Sequence, residues 1–86
     1  MKASTLAGIR KKIDALDRRV AGLLARRFAL ALVITRKGLK KKFTDPARER
    51  RVLGNAAAAA GCPEFGRAAR AVFTEVIRQT KKIQKC

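Results

Sequence analysis

One arginine lies on a stripe of residues that is otherwise apolar. The stripe repeats at alternating spacings of three and four residues, which is typical of one face of a long helix. The apolar stripe consists of Leu6, Ile9, Ile13, Leu16, Val20, Leu23, Leu30 and Ile34, and the position it skips is Arg27. A guanidinium buried there is costly unless an anion meets it. Because the chain has only six acidic residues, the pattern predicts an anionic ligand inside a helical bundle.

Other polar residues also fall on faces that are predicted to be apolar. Glu49 does so on a second helix, and Thr80 and Gln84 do so on a third. Each residue alone has an ordinary explanation, such as a surface ion pair, a side chain that reaches solvent or a frayed terminus. Together they favour a polar pocket, because natural cores avoid unmatched polar groups. Arg48 lies beside Glu49. Arg10 flanks the apolar stripe of the first helix, and Lys37 and Lys41 continue the phase of that stripe beyond Ile34.

These residues must be positioned by helices, since no strand pattern is present and the predicted fold class is all-α. We expect a first helix over about residues 4–37, capped by Ser4 or Thr5. A second helix over about 46–60 follows the pair Asp45-Pro46, which favours a helix start. Gly61 with Pro63 ends it, and a third helix follows over about 64–84.

The third helix is predicted to turn one apolar face inward, comprising Phe65, Ala69, Val72, Phe73, Val76 and Ile77. The first helix would be about 50 Å long at 1.5 Å per residue. Residues 1–86 are expected to form one domain, and so small a chain cannot cover a helix of that length. The sequence therefore predicts a partner subunit.

Composition excludes several classes of protein. Histidine is absent and the two cysteines, Cys62 and Cys86, lack the spacing of metal ligands, so we expect neither a metal nor another cofactor. No apolar run approaches the length of a membrane span, and reduced thiols indicate a cytoplasmic protein. Twenty-two Lys and Arg residues give a formal charge of +16, which attracts polyanions and small anions alike. Tyr and Trp are absent, which disfavours a nucleic-acid stacking surface.

The order and spacing of these residues resemble the all-helical type of chorismate mutase over nearly the whole chain. The segments that carry the resemblance are Leu6-x-x-Ile9-Arg10-x-x-Ile13-Asp14-x-Leu16-Asp17, Leu23-Leu24-Ala25-Arg26-Arg27, Asp45-x-x-Arg48-Glu49, Phe73, Thr80 and Gln84. The resemblance implies an intertwined homodimer of three-helix chains that converts chorismate, a dianion, to prephenate in aromatic amino-acid biosynthesis. It also implies that each pocket receives one arginine from the other subunit.

The resemblance implies a role for each matched residue. Arg10 matches the arginine that crosses the interface, and Asp45 matches the acidic residue that opens the second helix. The matched pocket positions are Arg27, Arg48, Glu49, Thr80 and Gln84. Arg10 and Arg27 would clamp the two carboxylates, and Thr80 would add a hydroxyl donor. Glu49 would accept from the ring hydroxyl, Arg48 would add positive charge, and Gln84 would donate to the breaking ether oxygen.

One position departs from the family pattern. The family places a lysine eleven residues after the arginine that Arg27 matches, and this chain has Gly38 there. Lys37, or Lys41 one turn later, would then supply the ammonium at the ether oxygen. We favour Lys37 because it keeps the helical phase and lies next to the expected position.

Three other functions stay open. An isochorismate pyruvate lyase shares the fold and a similar pocket, although the intact Asp45-x-x-Arg48-Glu49 segment favours the mutase. A basic nucleic-acid-binding protein would explain the charge and the lysines at 40–42, 81, 82 and 85, but not the polar residues on apolar faces. A catalytically silent relative would be consistent with the displaced lysine.

Overall fold

The computed structural model describes residues 5–39 and 44–85. Three α-helices follow one another: α1 over Leu6–Arg36, α2 over Pro46–Ala59 and α3 over Pro63–Lys85. The all-α class, with three helices and a long first one, is confirmed. None of the described helices combines the length and the apolar character that crossing a membrane requires.

Side chains and glycines at the helix ends explain where each helix starts and stops. The Thr5 hydroxyl accepts from the backbone N–H of Gly8 at 3.1 Å, and Asp45 Oδ1 accepts from that of Arg48 at 3.1 Å. These bonds satisfy first-turn N–H groups that have no partner within the helix. Gly61, with φ of +91°, ends α2 as predicted. The α3 helix starts at Pro63, one residue early, because proline suits the first helical position.

The end of α1 is a glycine cap. Gly38 has φ of +63°, and its N–H donates to the Thr35 carbonyl at 3.1 Å. The N–H of Leu39 donates to the Ile34 carbonyl, also at 3.1 Å. This pair of bonds is the Schellman arrangement, which requires the left-handed backbone that glycine adopts without strain. Glycine at position 38 therefore provides the backbone conformation that ends α1.

The chain divides into two compact units, Met1–Leu30 and Ala31–Cys86. In the first unit the apolar stripe is exposed in the single chain. Its members there have exposed fractions between 45% and 67%: Leu6, Ile9, Ile13, Leu16, Val20, Leu23 and Leu30. A run of exposed apolar side chains this long is unusual on the surface of a monomeric protein.

In the second unit α2 packs against α3. The buried residues are few: Ala31, Gly66, Val76 and Gln84. Gly66 lies so close to α2 that a Cβ built on it would be 3.2 Å from the Ala57 carbonyl oxygen. Two residues that were predicted to face inward, Phe65 and Val72, are instead 66% and 59% exposed, because the apolar face of α3 is wider than the strip that α2 covers.

Candidate active site

An ion pair joins α2 to α3 within the second unit. The Lys81 ammonium lies 2.7 Å from Glu49 Oε2, and the two side chains are only 26% and 28% exposed. Glu49 belongs to the first turn of α2, so the polar residue that the pattern placed on an apolar face is met by a cation. Sequence analysis named Lys81 only among the lysines that a nucleic-acid-binding protein would explain, so its pairing with Glu49 was missed. Its spacing of three residues from Gln84 was the available signal.

The amide of Gln84 is buried near the end of α3. The residue is 7% exposed, and its Nε2 donates to the backbone carbonyl of Ala31 at 3.2 Å. The same carbonyl accepts from the Thr35 hydroxyl at 3.2 Å. A buried glutamine among apolar residues is kept there by such bonds, because an unpaired amide would be costly. The amide thus ties the end of α3 to α1 at Ala31.

Thr80 lies one turn before Gln84 and shares its side of the helix. It is half-buried, and its hydroxyl donates to the Val76 carbonyl at 2.7 Å. We refer to four residues on α2 and α3 as the polar cluster: Glu49, Thr80, Lys81 and Gln84. It holds a carboxylate acceptor, a hydroxyl, an ammonium and an amide on two packed helices, so it offers donors and an acceptor to a small polar ligand.

Asp45 helps to fix the position of Glu49 through a backbone hydrogen bond. Besides capping α2 with its carboxylate, Asp45 accepts the Glu49 N–H on its main-chain carbonyl at 2.9 Å. Both Asp45 and Arg48 have exposed side chains. Asp45 therefore fixes the turn from which Glu49 projects.

The other predicted site residues lie apart from this cluster in the chain. Arg10, exposed, and Arg27, half-buried, belong to the first unit. Lys37 is exposed and follows the last residue of α1. Lys41 lies outside the described residues.

A second charged network on α3 lies away from the cluster. Glu75 is nine residues before Gln84, which places it on the opposite side of the helix. It accepts from the Gln79 amide at 2.6 Å and from Arg78 at 2.7 Å. These bonds, first that of Gln79, lower the pKa of the Glu75 carboxyl. The network is exposed, and its bonds join residues one turn apart, which stabilises α3 itself.

An open groove of about 550 Å³ lies at the turn between α2 and α3. Small residues line it, together with Cys62, Arg67 and Arg70. None of the predicted site residues is among its lining residues. Within 5–39 and 44–85, no three potential metal ligands come together.

Comparison with known proteins identifies the family. The family model for chorismate mutase type II matches residues 9–85, which include most of α1, all of α2 and α3, and the polar cluster. No match to a curated protein or to a solved structure is found. The match covers far more than half of the chain, and the all-α fold agrees with it. The chain belongs to the chorismate mutase type II family, a family of isomerases in aromatic biosynthesis.

Proposed function

We propose that this protein catalyses the rearrangement of chorismate to prephenate. The observation that carries the proposal is the family match over residues 9–85. The polar cluster supports it, because a carboxylate and an amide held on two packed helices suit a small ligand that carries hydroxyl and ether oxygens. A cytoplasmic location is part of the proposal and is compatible with the exposed free thiol of Cys62.

The reaction needs positioning more than chemical participation. One C–O bond of chorismate breaks while a C–C bond forms within the same molecule, and no proton is transferred. Holding the flexible dianion in its folded, reactive conformer removes several kcal/mol of the barrier. Arg27 and Arg10 of the second subunit would clamp the two carboxylates, since a planar guanidinium gives paired hydrogen bonds. Thr80 would add a donor to one of them.

The remaining residues would contact the ring hydroxyl and the ether oxygen of chorismate. Glu49 would accept from the ring hydroxyl, next to the backbone of Asp45, while Arg48 adds positive charge at the wall. Gln84 and a lysine ammonium would donate to the ether oxygen, which gains negative charge only in the transition state. Such donors accelerate the reaction because they bind the transition state more strongly than the substrate. The sequence pattern favours Lys37 as the source of the ammonium at the ether oxygen.

The active form that we propose is a homodimer. In the single chain the apolar stripe of α1 is exposed over most of its length, and pairing with the α1 helix of a second copy would remove it from water. The same pairing would bring Arg10 of one copy to the pocket of the other.

The test is to follow chorismate by absorbance with the purified protein and to identify the product by chromatography. We expect prephenate, and we expect Arg27→Ala to abolish most turnover while its circular dichroism stays helical. Pyruvate and salicylate from isochorismate, without prephenate, would identify a lyase of the same fold. If neither compound is turned over and duplex DNA is bound in a salt-sensitive manner, the proposal is wrong and the charge of +16 serves nucleic acid.

A further inference from the structure

The glycine cap of α1 leaves the proposed site without a lysine at position 38. Gly38 adopts φ of +63° and carries the hydrogen bonds that end the helix. A lysine there would hold its backbone in a conformation that L residues rarely adopt. If an ammonium meets the ether oxygen in the proposed site, it therefore comes from another residue.

Burial separates one lysine from the rest. The described lysines are Lys11, Lys12, Lys37, Lys81, Lys82 and Lys85. Lys81 is half-buried, and the other five are exposed. An ammonium stabilises developing charge best where water is partly excluded, since screening there is weaker. Lys37, beyond the end of α1, lacks this environment in the single chain.

Lys81 also lies against the residue proposed to bind the substrate's hydroxyl. Its Nζ is 2.7 Å from Glu49 Oε2, and Gln84 follows three residues later on the same side of α3. A lysine ammonium has three N–H donors. The bond to Glu49 uses one of them, which leaves two for a ligand.

We propose that Lys81 supplies the ammonium that stabilises the breaking ether oxygen of chorismate. This inference rests on the proposed function. In chorismate the ether oxygen and the ring hydroxyl stand on neighbouring ring carbons. A cation held on the acceptor of the hydroxyl is therefore also placed beside the ether oxygen. As the C–O bond breaks, negative charge builds on that oxygen and is met by Lys81 and by the Gln84 amide.

A purely structural role of Lys81 predicts a different effect on kinetics and stability when Lys81 is replaced. If the pair with Glu49 only joined α2 to α3, its loss would lower the free energy of unfolding and leave the rate of folded enzyme unchanged. If Lys81 acts in the transition state, its loss lowers kcat far more than it raises KM.

The decisive variant is Lys81→Met, which removes the ammonium and keeps the length of the side chain. The matched control is Lys85→Met, at an exposed lysine of the same helix. We expect kcat of Lys81→Met to fall on the order of 100-fold, as for the loss of one donor at a developing oxyanion. We expect KM to change much less and Lys85→Met to resemble the wild type. Lys81→Gln, which retains a neutral donor, should lie between them and replaces Lys81→Met if the latter does not fold.

Each outcome decides a separate claim. The wild type is assayed first, and an inactive wild type contradicts the proposed function itself. If the wild type is active and Lys81→Met keeps near-full kcat, the inference about Lys81 is wrong and the mutase proposal stands. Loss of kcat in Lys37→Met with retention in Lys81→Met would assign the ammonium to Lys37 and overturn the inference equally.

Discussion

Gln84 shows how one side chain serves both packing and the proposed chemistry. It is 7% exposed, yet it carries an amide whose Nε2 is bound to the Ala31 carbonyl. A leucine would fill such a position at lower desolvation cost. The presence of an amide there therefore fits a group that also serves a ligand.

Replacement of Gln84 by alanine tests this role. Loss of the bond to Ala31 should cost about 1 kcal/mol of unfolding free energy, while loss of the donor to the ether oxygen should lower kcat by about 100-fold. Gln79→Ala is the control, because the Gln79 amide donates to Glu75 on the far side of α3. Steady-state kinetics and urea unfolding separate the two effects. A Gln84→Ala enzyme with near-wild-type kcat would remove this residue from the proposed site.

Polar residues on apolar faces were the part of the polar cluster that the sequence could predict. Glu49 and Gln84 were visible because each breaks a helical period. Lys81 was not, because a lysine near a basic terminus looks like a solvated residue until its partner is located. The pairing with Glu49 depends on how α2 and α3 pack, and no local pattern encodes that.

Helix ends were predictable because the chemistry of caps is local. Asp45-Pro46 and Gly61 each act within a few residues, and the structure places them as expected. The width of the apolar face of α3 was not predictable in the same way. Periodicity indicates that Phe65 and Val72 share the general direction of Val76, but not how wide a strip the single helix α2 covers.

The packing of α2 against α3 predicts opposite effects for two glycine substitutions. A Cβ at Gly54 meets nothing within 4 Å, whereas a Cβ at Gly66 lies 3.2 Å from the Ala57 carbonyl oxygen. We expect Gly54→Ala to raise the free energy of unfolding by about 0.5–1 kcal/mol through helix propensity. Gly66→Ala should lower it, because α2 must move away from α3. Urea unfolding measures both, and equal stabilisation by the two variants would contradict the close approach at Gly66.

At the scale of the whole molecule, the proposed dimer makes a distinctive prediction for mixed variants. Arg10→Ala and Arg27→Ala should each be nearly inactive alone. If Arg10 acts in the neighbouring subunit, a mixed dimer has one pocket with both arginines and one with neither. Refolding the two variants together should therefore restore roughly a quarter of wild-type activity, as expected for random pairing in a symmetric dimer.

The control for this experiment is a mixture of Arg27→Ala with Gln84→Ala. Both residues would belong to the same subunit's pocket, so every pocket in that mixed dimer lacks one group and no recovery is expected. Recovery in the control, or none in the Arg10 mixture despite dimer formation in sedimentation, would contradict the exchange of Arg10 between subunits.

If two copies pair through the exposed stripe of α1, as proposed, the working state of the protein depends on its concentration. Apolar side chains that leave water only on association contribute nothing to a lone chain, so thermal stability should follow mass action and fall on dilution. Each copy carries a formal charge of +16, and bringing two copies together costs repulsion that salt relieves. The proposed dimer should therefore dissociate most readily in dilute solution at low salt.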